Sequence, residues 1–163
     1  MSYVIGIDPG LGGGFALLGP GGFAIIAVHS TPVTQTIKRG RTHREVDAME
    51  VALSLSALRD FVADAELISV VIESVSARPG QGVTSMFNFG RGLGRLEGVA
   101  AALGLSVSYL TPATWRGRVG LRGDKTAARA LASRLYPEQA HLFQRVKDDG
   151  LAEAVLIARA AFL

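Results

Sequence analysis

Short apolar runs at Tyr3–Asp8, Gly14–Leu18 and Phe23–Val28, separated by clusters of Gly and Pro, predict a three-stranded antiparallel meander at the start of the chain. Residues 29–46 are polar and carry Lys38, Arg39, Arg41 and Arg44, which reads as a mobile basic loop. Asp47 is placed to cap a helix in which Met49, Leu53, Leu55, Leu58 and Val62 recur at helical spacing to about Ala65. Leu67–Ile72 is an apolar run rich in β-branched residues, as expected of a strand buried on both faces, and Glu73 ends it. A Gly/Pro loop over 74–83 leads to a helical run from about Ser85 to Leu103, then a strand at Ser106–Leu110 and a helix over Lys125–Leu135. Asp148 or Asp149 opens a last helix whose apolar side is Leu151, Val155, Ile157 and Ala158, with Asp148 read as its N-cap.

This order predicts an α/β fold: a five-stranded mixed sheet, three strands antiparallel and then two parallel, flanked by helices. The 163 residues show no repeat, low-complexity tract or linker, so residues 1–163 are expected to form a single domain. With 48% hydrophobic and 19% charged residues, the composition is that of a packed globular protein rather than a disordered chain. Its apolar stretches fall short of the roughly 20 residues that span a bilayer, so no membrane partner is expected. The start carries no basic segment or small-residue cleavage site, which predicts a cytoplasmic, unsecreted protein. With no Cys, disulfides and thiolate metal sites are excluded.

Charge is segregated along the chain. Between Arg78 and Arg134 stand nine Arg or Lys residues (Arg78, Arg91, Arg95, Arg116, Arg118, Arg122, Lys125, Arg129 and Arg134) against two acids, Glu97 and Asp124. This surplus of seven leaves −4 on the remainder of a chain whose total is +3, and 14 of the 17 basic residues are Arg. The pattern fits a face for a polyanion such as nucleic acid, because the guanidinium fork matches phosphate; the competing reading is a solvated basic surface.

Two acids close apolar strands: Asp8, before Pro9 and Gly10, and Glu73, after a β-branched run. Alone, each could be structural, Asp8 by capping the turn that follows it. Together they predict that the carboxyl ends of neighbouring strands converge on something cationic, since a carboxylate at a buried strand end is costly unless it is paired. Asp149 and Glu153 lie four apart at the start of the last helix and so project from one face, a like-charge spacing that destabilises a helix unless a cation lies between. Four carboxylates without His or Cys suit hard cations such as Mg²⁺ or Mn²⁺ rather than zinc.

At these residues the chain resembles the RuvC-type Holliday junction resolvases of the ribonuclease H-like superfamily, in particular their phage and organellar branch. The motifs "IGIDPG", "VVIES", "PGQGVTSMFNFGRGLG", "TPATWR", "GLRGDK" and "KDDGLAEAVLIA" stand in that family's order and cover nearly the whole chain. The resemblance implies a ribonuclease H-like fold, with Asp8, Glu73, Asp149 and Glu153 as a catalytic tetrad holding two Mg²⁺ or Mn²⁺ ions. Which of Asp148 and Asp149 is the ligand is left open by the spacing, with Asp149 preferred. Lys125 and Arg116 match the family's phosphate-contacting positions, and Arg78, Arg91 and Arg122 of the basic segment join them as candidate DNA contacts. The family's aromatic wedge position, three after the glutamate, is Ser76 here. Phe87 and Phe89 are expected to pack in the core or at a dimer seam, and Trp115 to pack rather than stack on bases.

The activity implied is structure-selective DNA cleavage that resolves four-way junctions by two-metal hydrolysis, giving symmetric nicks with 5′-phosphate and 3′-hydroxyl ends. Two strands related by symmetry must be cut, so a homodimer is expected. The resemblance places its seam on the helix bearing Gly90, Gly92, Gly94 and Gly98. The alternative is a ribonuclease H-like nuclease or exonuclease acting on another nucleic acid. An actin-like ATPase needs two lobes, which 163 residues hardly supply. A non-catalytic DNA-binding protein would not need all four acids.

Overall fold

The computed structural model describes residues 2–64, 67–77, 79–123 and 125–163, excluding the side chains of Lys38 and Lys125. Strand β1 (Tyr3–Asp8) pairs antiparallel with β2 (Gly14–Leu18), which pairs antiparallel with β3 (Ile25–Ser30). On its other side β1 runs parallel to β6 (Ile68–Glu73), and β6 parallel to β7 (Ser106–Leu110). The sheet order is therefore β3-β2-β1-β6-β7, the mixed sheet the sequence predicts. Alternation along the strands feeds two cores. Ile5, Ile7, Phe15, Leu17, Val70 and Ile72 face one layer, with α1 (Ala48–Asp60) and α2 (Val83–Ala102). Val4, Ala16, Leu18 and Val71 face the other, formed by α3 (Pro112–Arg118), α4 (Lys125–Leu135), the 3₁₀ turns Pro137–Phe143 and Val146–Asp148, and α5 (Asp149–Ala160).

Helix α5 is buried on more than one side: Ala152, Ala154, Val155, Leu156, Ile157, Ala158 and Ala160 are all inaccessible. The expected stripe of Leu151, Val155, Ile157 and Ala158 is only part of what it buries, and Leu151 is half-exposed. Its backbone lies directly on the sheet. A Cβ on Gly6 of β1 would collide with the Ala154 carbonyl, and one on Gly150 with the Gly12 carbonyl.

The basic stretch over 29–46 is not a loop. It forms a second, two-stranded antiparallel sheet of β4 (Val33–Lys38) and β5 (Arg41–Val46). The reversal falls at Arg39 and Gly40, both at positive φ (51° and 71°), the backbone of a tight hairpin turn. Arg39 lacks the Asn or Asp that usually marks such a turn, so the signal was hidden. In α1, Asp47 caps as expected, accepting from Met49 N at 3.1 Å and Glu50 N at 3.2 Å. The buried stripe is Val51, Leu55 and Leu58, while Met49 and Leu53 are 74% and 60% exposed. At 100° per residue those two project opposite the stripe. The helix ends at Asp60, and the expected limit near Ala65 lies outside the described residues. Strand β3 begins at Ile25 rather than Phe23, because a 3₁₀ turn at Pro20–Gly22 takes up the chain before it.

Gly6→Ala and Gly150→Ala are expected to cost about 2 kcal/mol or more in urea melts, since each added methyl meets backbone rather than a movable side chain. Gly98→Ala, on α2 with open space around its Cβ, is expected to be neutral or stabilising by up to roughly 1 kcal/mol.

Candidate active site

The pairing of Ile7 with Ile72 in the parallel β1–β6 ladder leaves Asp8 and Glu73 as the next residues at the carboxyl ends of adjacent strands. That edge is where open α/β sheets bind ligands. Asp8 does take the turn role: its Oδ1 accepts from Gly10 N at 3.4 Å, and Gly13 N closes on Gly10 O at 3.0 Å. Glu73 is held by Trp115, whose indole Nε1 donates to Oε1 at 2.8 Å. Trp115 is 1% exposed, so it packs as expected, and its N–H finds the strand-end carboxylate.

Helix α5 starts over the same edge, because Gly150 rests on Gly12 and Gly13 of the turn that follows Asp8. Asp149 opens that helix and Glu153 follows one turn later. Arg129 of α4 donates from Nε to Asp149 Oδ1 at 2.7 Å.

Asp148 occupies the N-cap position of α5, but its side chain does not cap that helix. It is 2% exposed and accepts from Arg145, from the backbone N at 2.8 Å and from Nη2 at 2.9 Å. The guanidinium and backbone N–H together outcompete the α5 amides, which corrects the expected cap. Those hydrogen bonds hold the Asp148 carboxyl below its ordinary value of 3.8, against the opposing effect of burial. The Asp148 carboxylate is thus committed to the preceding turn, whereas Asp149 pairs with α4.

Asp8 and Glu73 share one end of the sheet with the start of α5 beside them, but among the described residues no three acid or His side chains are gathered closely enough to hold a metal ion. Beside Asp8 a cleft of about 280 Å³ opens between Pro9 and Leu11, the root of the β4–β5 hairpin, and the start of α2, with Arg44, Ser85 and Asn88 supplying polar groups.

Of the candidate DNA contacts, Arg116 donates to the Gly123 carbonyl and lies 5.5 Å from the Trp115 ring centroid. Arg91 pairs with Glu45 at 3.2 Å and lies over Phe87. Arg122 is exposed beside a groove it shares with Arg134. Arg78 and the Lys125 side chain lie outside the described residues. Phe87 is exposed rather than in the core, and Phe89 lines the cleft, half-buried. The residues the sequence reading missed are the holders: Trp115 for Glu73, Arg129 for Asp149 and Arg145 for Asp148. The only available signal was the general need of a buried indole N–H or carboxylate for a partner.

The strand order and the helices on both faces define a ribonuclease H-like α/β fold. No protein-family model matches the chain, and no curated protein matches it in sequence. Among solved structures it is similar to Thermus thermophilus RuvC in complex with a Holliday junction substrate, with a TM-score of 0.63 at 14% identity over 99% of this chain and 94% of that one. A further Thermus thermophilus RuvC structure gives 0.56 at 18% identity over 98% and 93%. The yeast mitochondrial Holliday junction resolvase gives 0.50 at 16% over 99% and 78%. The chain thus has the fold of RuvC resolvases.

Trp115→Phe keeps the ring but deletes the N–H to Glu73, and is expected to cost about 1 kcal/mol in chemical denaturation. For Asp148 the folded pKa is depressed, so its stabilisation is present above 3.8 and lost as pH falls through the lower folded value. The melting-temperature deficit of Arg145→Gln is therefore expected to be greatest near about pH 7 and to shrink in acid. A pH-independent deficit would show that the pair's charge is not what stabilises.

Proposed function

We propose that this chain is a metal-dependent endodeoxyribonuclease that resolves four-way DNA junctions as a homodimer. What supports the reading is the position of Asp8 and Glu73 at adjoining carboxyl ends of β1 and β6, with the start of α5, the helix that carries Asp149 and Glu153, resting on the turn after Asp8, in a chain similar in fold to a resolvase solved with its junction. The all-carboxylate donor set fits hard divalent ions, so these four residues would hold Mg²⁺ or Mn²⁺, two per site. Bound there, the ions would supply Lewis-acid stabilisation for phosphodiester hydrolysis leaving 5′-phosphate and 3′-hydroxyl ends. Asp149 would serve a metal either by releasing Oδ1 from Arg129 or through its other carboxylate oxygen.

The chain's own groups orient this chemistry. Trp115 fixes the Glu73 carboxylate, and the turn amide of Gly10 fixes Asp8. Arg116, Arg122 and Lys125, with Arg78 and Arg91, are the proposed phosphate contacts. For the second subunit, α2 offers Gly90, Gly94 and Gly98, four residues apart with open space where each Cβ would stand. A helix of the partner could approach closely there, and a two-fold dimer would supply the two sites that paired cuts require.

Asp8→Asn, Glu73→Gln, Asp149→Asn and Glu153→Gln are each expected to lower cleavage of a synthetic four-way junction by two decades or more, with binding in metal-free buffer retained. Asp148→Asn is the control, expected to lower the melting temperature yet still cut. Symmetric nicking of the junction in preference to linear duplex, flap or RNA–DNA hybrid is the deciding result; preference for the hybrid would overturn the reading. Gly94→Glu is expected to sediment as a folded monomer that does not resolve junctions, and an unchanged dimer would remove α2 from the seam.

A further inference from the structure

We infer that the β4–β5 hairpin is an arm that grips the sugar-phosphate backbone of a DNA duplex and holds it against the acid-bearing edge of the sheet. The identity of the polyanion rests on the nuclease reading above; the arm itself rests on placement and charge. The register Asp8–Gly14–Ser30 across β1, β2 and β3 ends β3 at the same edge as Asp8. Thr31 N then donates to Gly13 O at 3.0 Å, and Asp47 N to Pro32 O at 3.0 Å, so the hairpin springs from the turn that follows Asp8. Its root is fixed on α2: Arg95 donates to the Val46 carbonyl and pairs with Glu45 at 3.0 Å, and Gly92 makes room for the Val46 side chain. The arm's direction is therefore set by the same elements that frame the cleft beside Asp8.

Its charge has no internal counterpart. The hairpin carries Lys38, Arg39, Arg41 and Arg44 against a single acid, Glu45, and that acid is shared by Arg91 and Arg95 of α2. Arg39, Arg41 and Arg44 are exposed, and among the described residues no hydrogen bond or ion pair engages their side chains. The backbone register sets Lys38 opposite Arg41 across the hairpin. Ile37, beside the turn, is 79% exposed. A two-stranded hairpin is marginal alone, so retaining unneutralised cations and an exposed Ile on one that is rigidly rooted beside the acids points to an anionic partner of fixed position. Arg44 also lines the cleft beside Asp8, together with Glu45.

The test compares wild type with the triple variant Arg39→Ala/Arg41→Ala/Arg44→Ala by fluorescence anisotropy in metal-free buffer, on a four-way junction and a linear duplex across a range of salt. Each phosphate contact contributes about 0.9 to the slope of log affinity against log salt, so the triple variant is expected to lose about two to three units of slope on both DNAs with an unchanged thermal melt. The Arg→Lys triple, which keeps the charge, is expected to restore most of the slope. Wild-type binding and junction cutting with an unchanged slope in the alanine triple would overturn the arm and leave the nuclease reading. An arm-dependent slope without junction cutting would do the reverse. Binding to anionic phosphatidylserine vesicles but to neither DNA would overturn both.

Discussion

How closely α5 can lie on β1 decides where every acid at the carboxyl edge sits. Gly6 and Gly150 remove the side chains that would stand between helix backbone and sheet or turn backbone, and Gly13 lets the turn fold back on the Asp8 carbonyl. With these contacts in place, the first turn of α5, which begins at Asp149, is set over the turn that follows Asp8. Their separation in sequence, 141 positions between Asp8 and Asp149, carries no cost once the sheet and helix are packed, because the loop entropy is already spent on folding the core. The short side chains of Ala152, Ala154 and Ala158 belong to the same constraint, since larger ones would lift the helix from the strands.

Bringing like charges to one edge raises their mutual repulsion, and the chain offsets it locally. Glu73 accepts from an indole N–H, Asp149 from a guanidinium on another helix, and Asp148 from a guanidinium three residues away. These partners differ in what they leave behind. A neutral N–H orients Glu73 without cancelling its charge, whereas Arg129 both orients and neutralises Asp149. Asp148, the residue just before α5, is withdrawn into the preceding turn.

Much of this was legible in the sequence because it depends on local pattern. β1, β2, β7 and α4 begin and end where their runs of apolar spacing do, and Asp47 caps α1 with its carboxylate on the Met49 and Glu50 amides. The acids stood out because Asp8 and Glu73 interrupt apolar strands. The hairpin was illegible because a positive-φ Arg39 replaces the usual turn residue and its strands bury little. Met49 and Leu53 share the apolar type of the α1 stripe but stand at the opposite angular position from Val51, so apolar type alone does not mark the buried face. The roles of Trp115, Arg129 and Arg145 were unreadable in principle for the first two, since their partners lie 42 and 20 residues away and only the packed fold brings them together.

Formal charge along a chain is also a poor guide to charge available to a ligand. The basic segment from Arg78 to Arg134 counts as +7, yet two of its residues, Arg91 and Arg95, are drawn onto Glu45 and a third, Arg129, onto Asp149, both acids from outside the segment. Arg116 and Arg118 remain charged but have donors committed to the carbonyls of Gly123 and Ala160. The transaction has an opposite effect on the hairpin: by giving up Glu45 to α2 it becomes more positive than its own sequence indicates. Cross-element ion pairing thus shifts effective positive charge away from α2 and α4 and towards β4–β5, onto guanidiniums that no hydrogen bond or ion pair engages among the described residues. A polyanion approaching the acid-bearing edge would accordingly meet unengaged guanidiniums on the hairpin as well as at Arg122 and Arg134 of the basic segment.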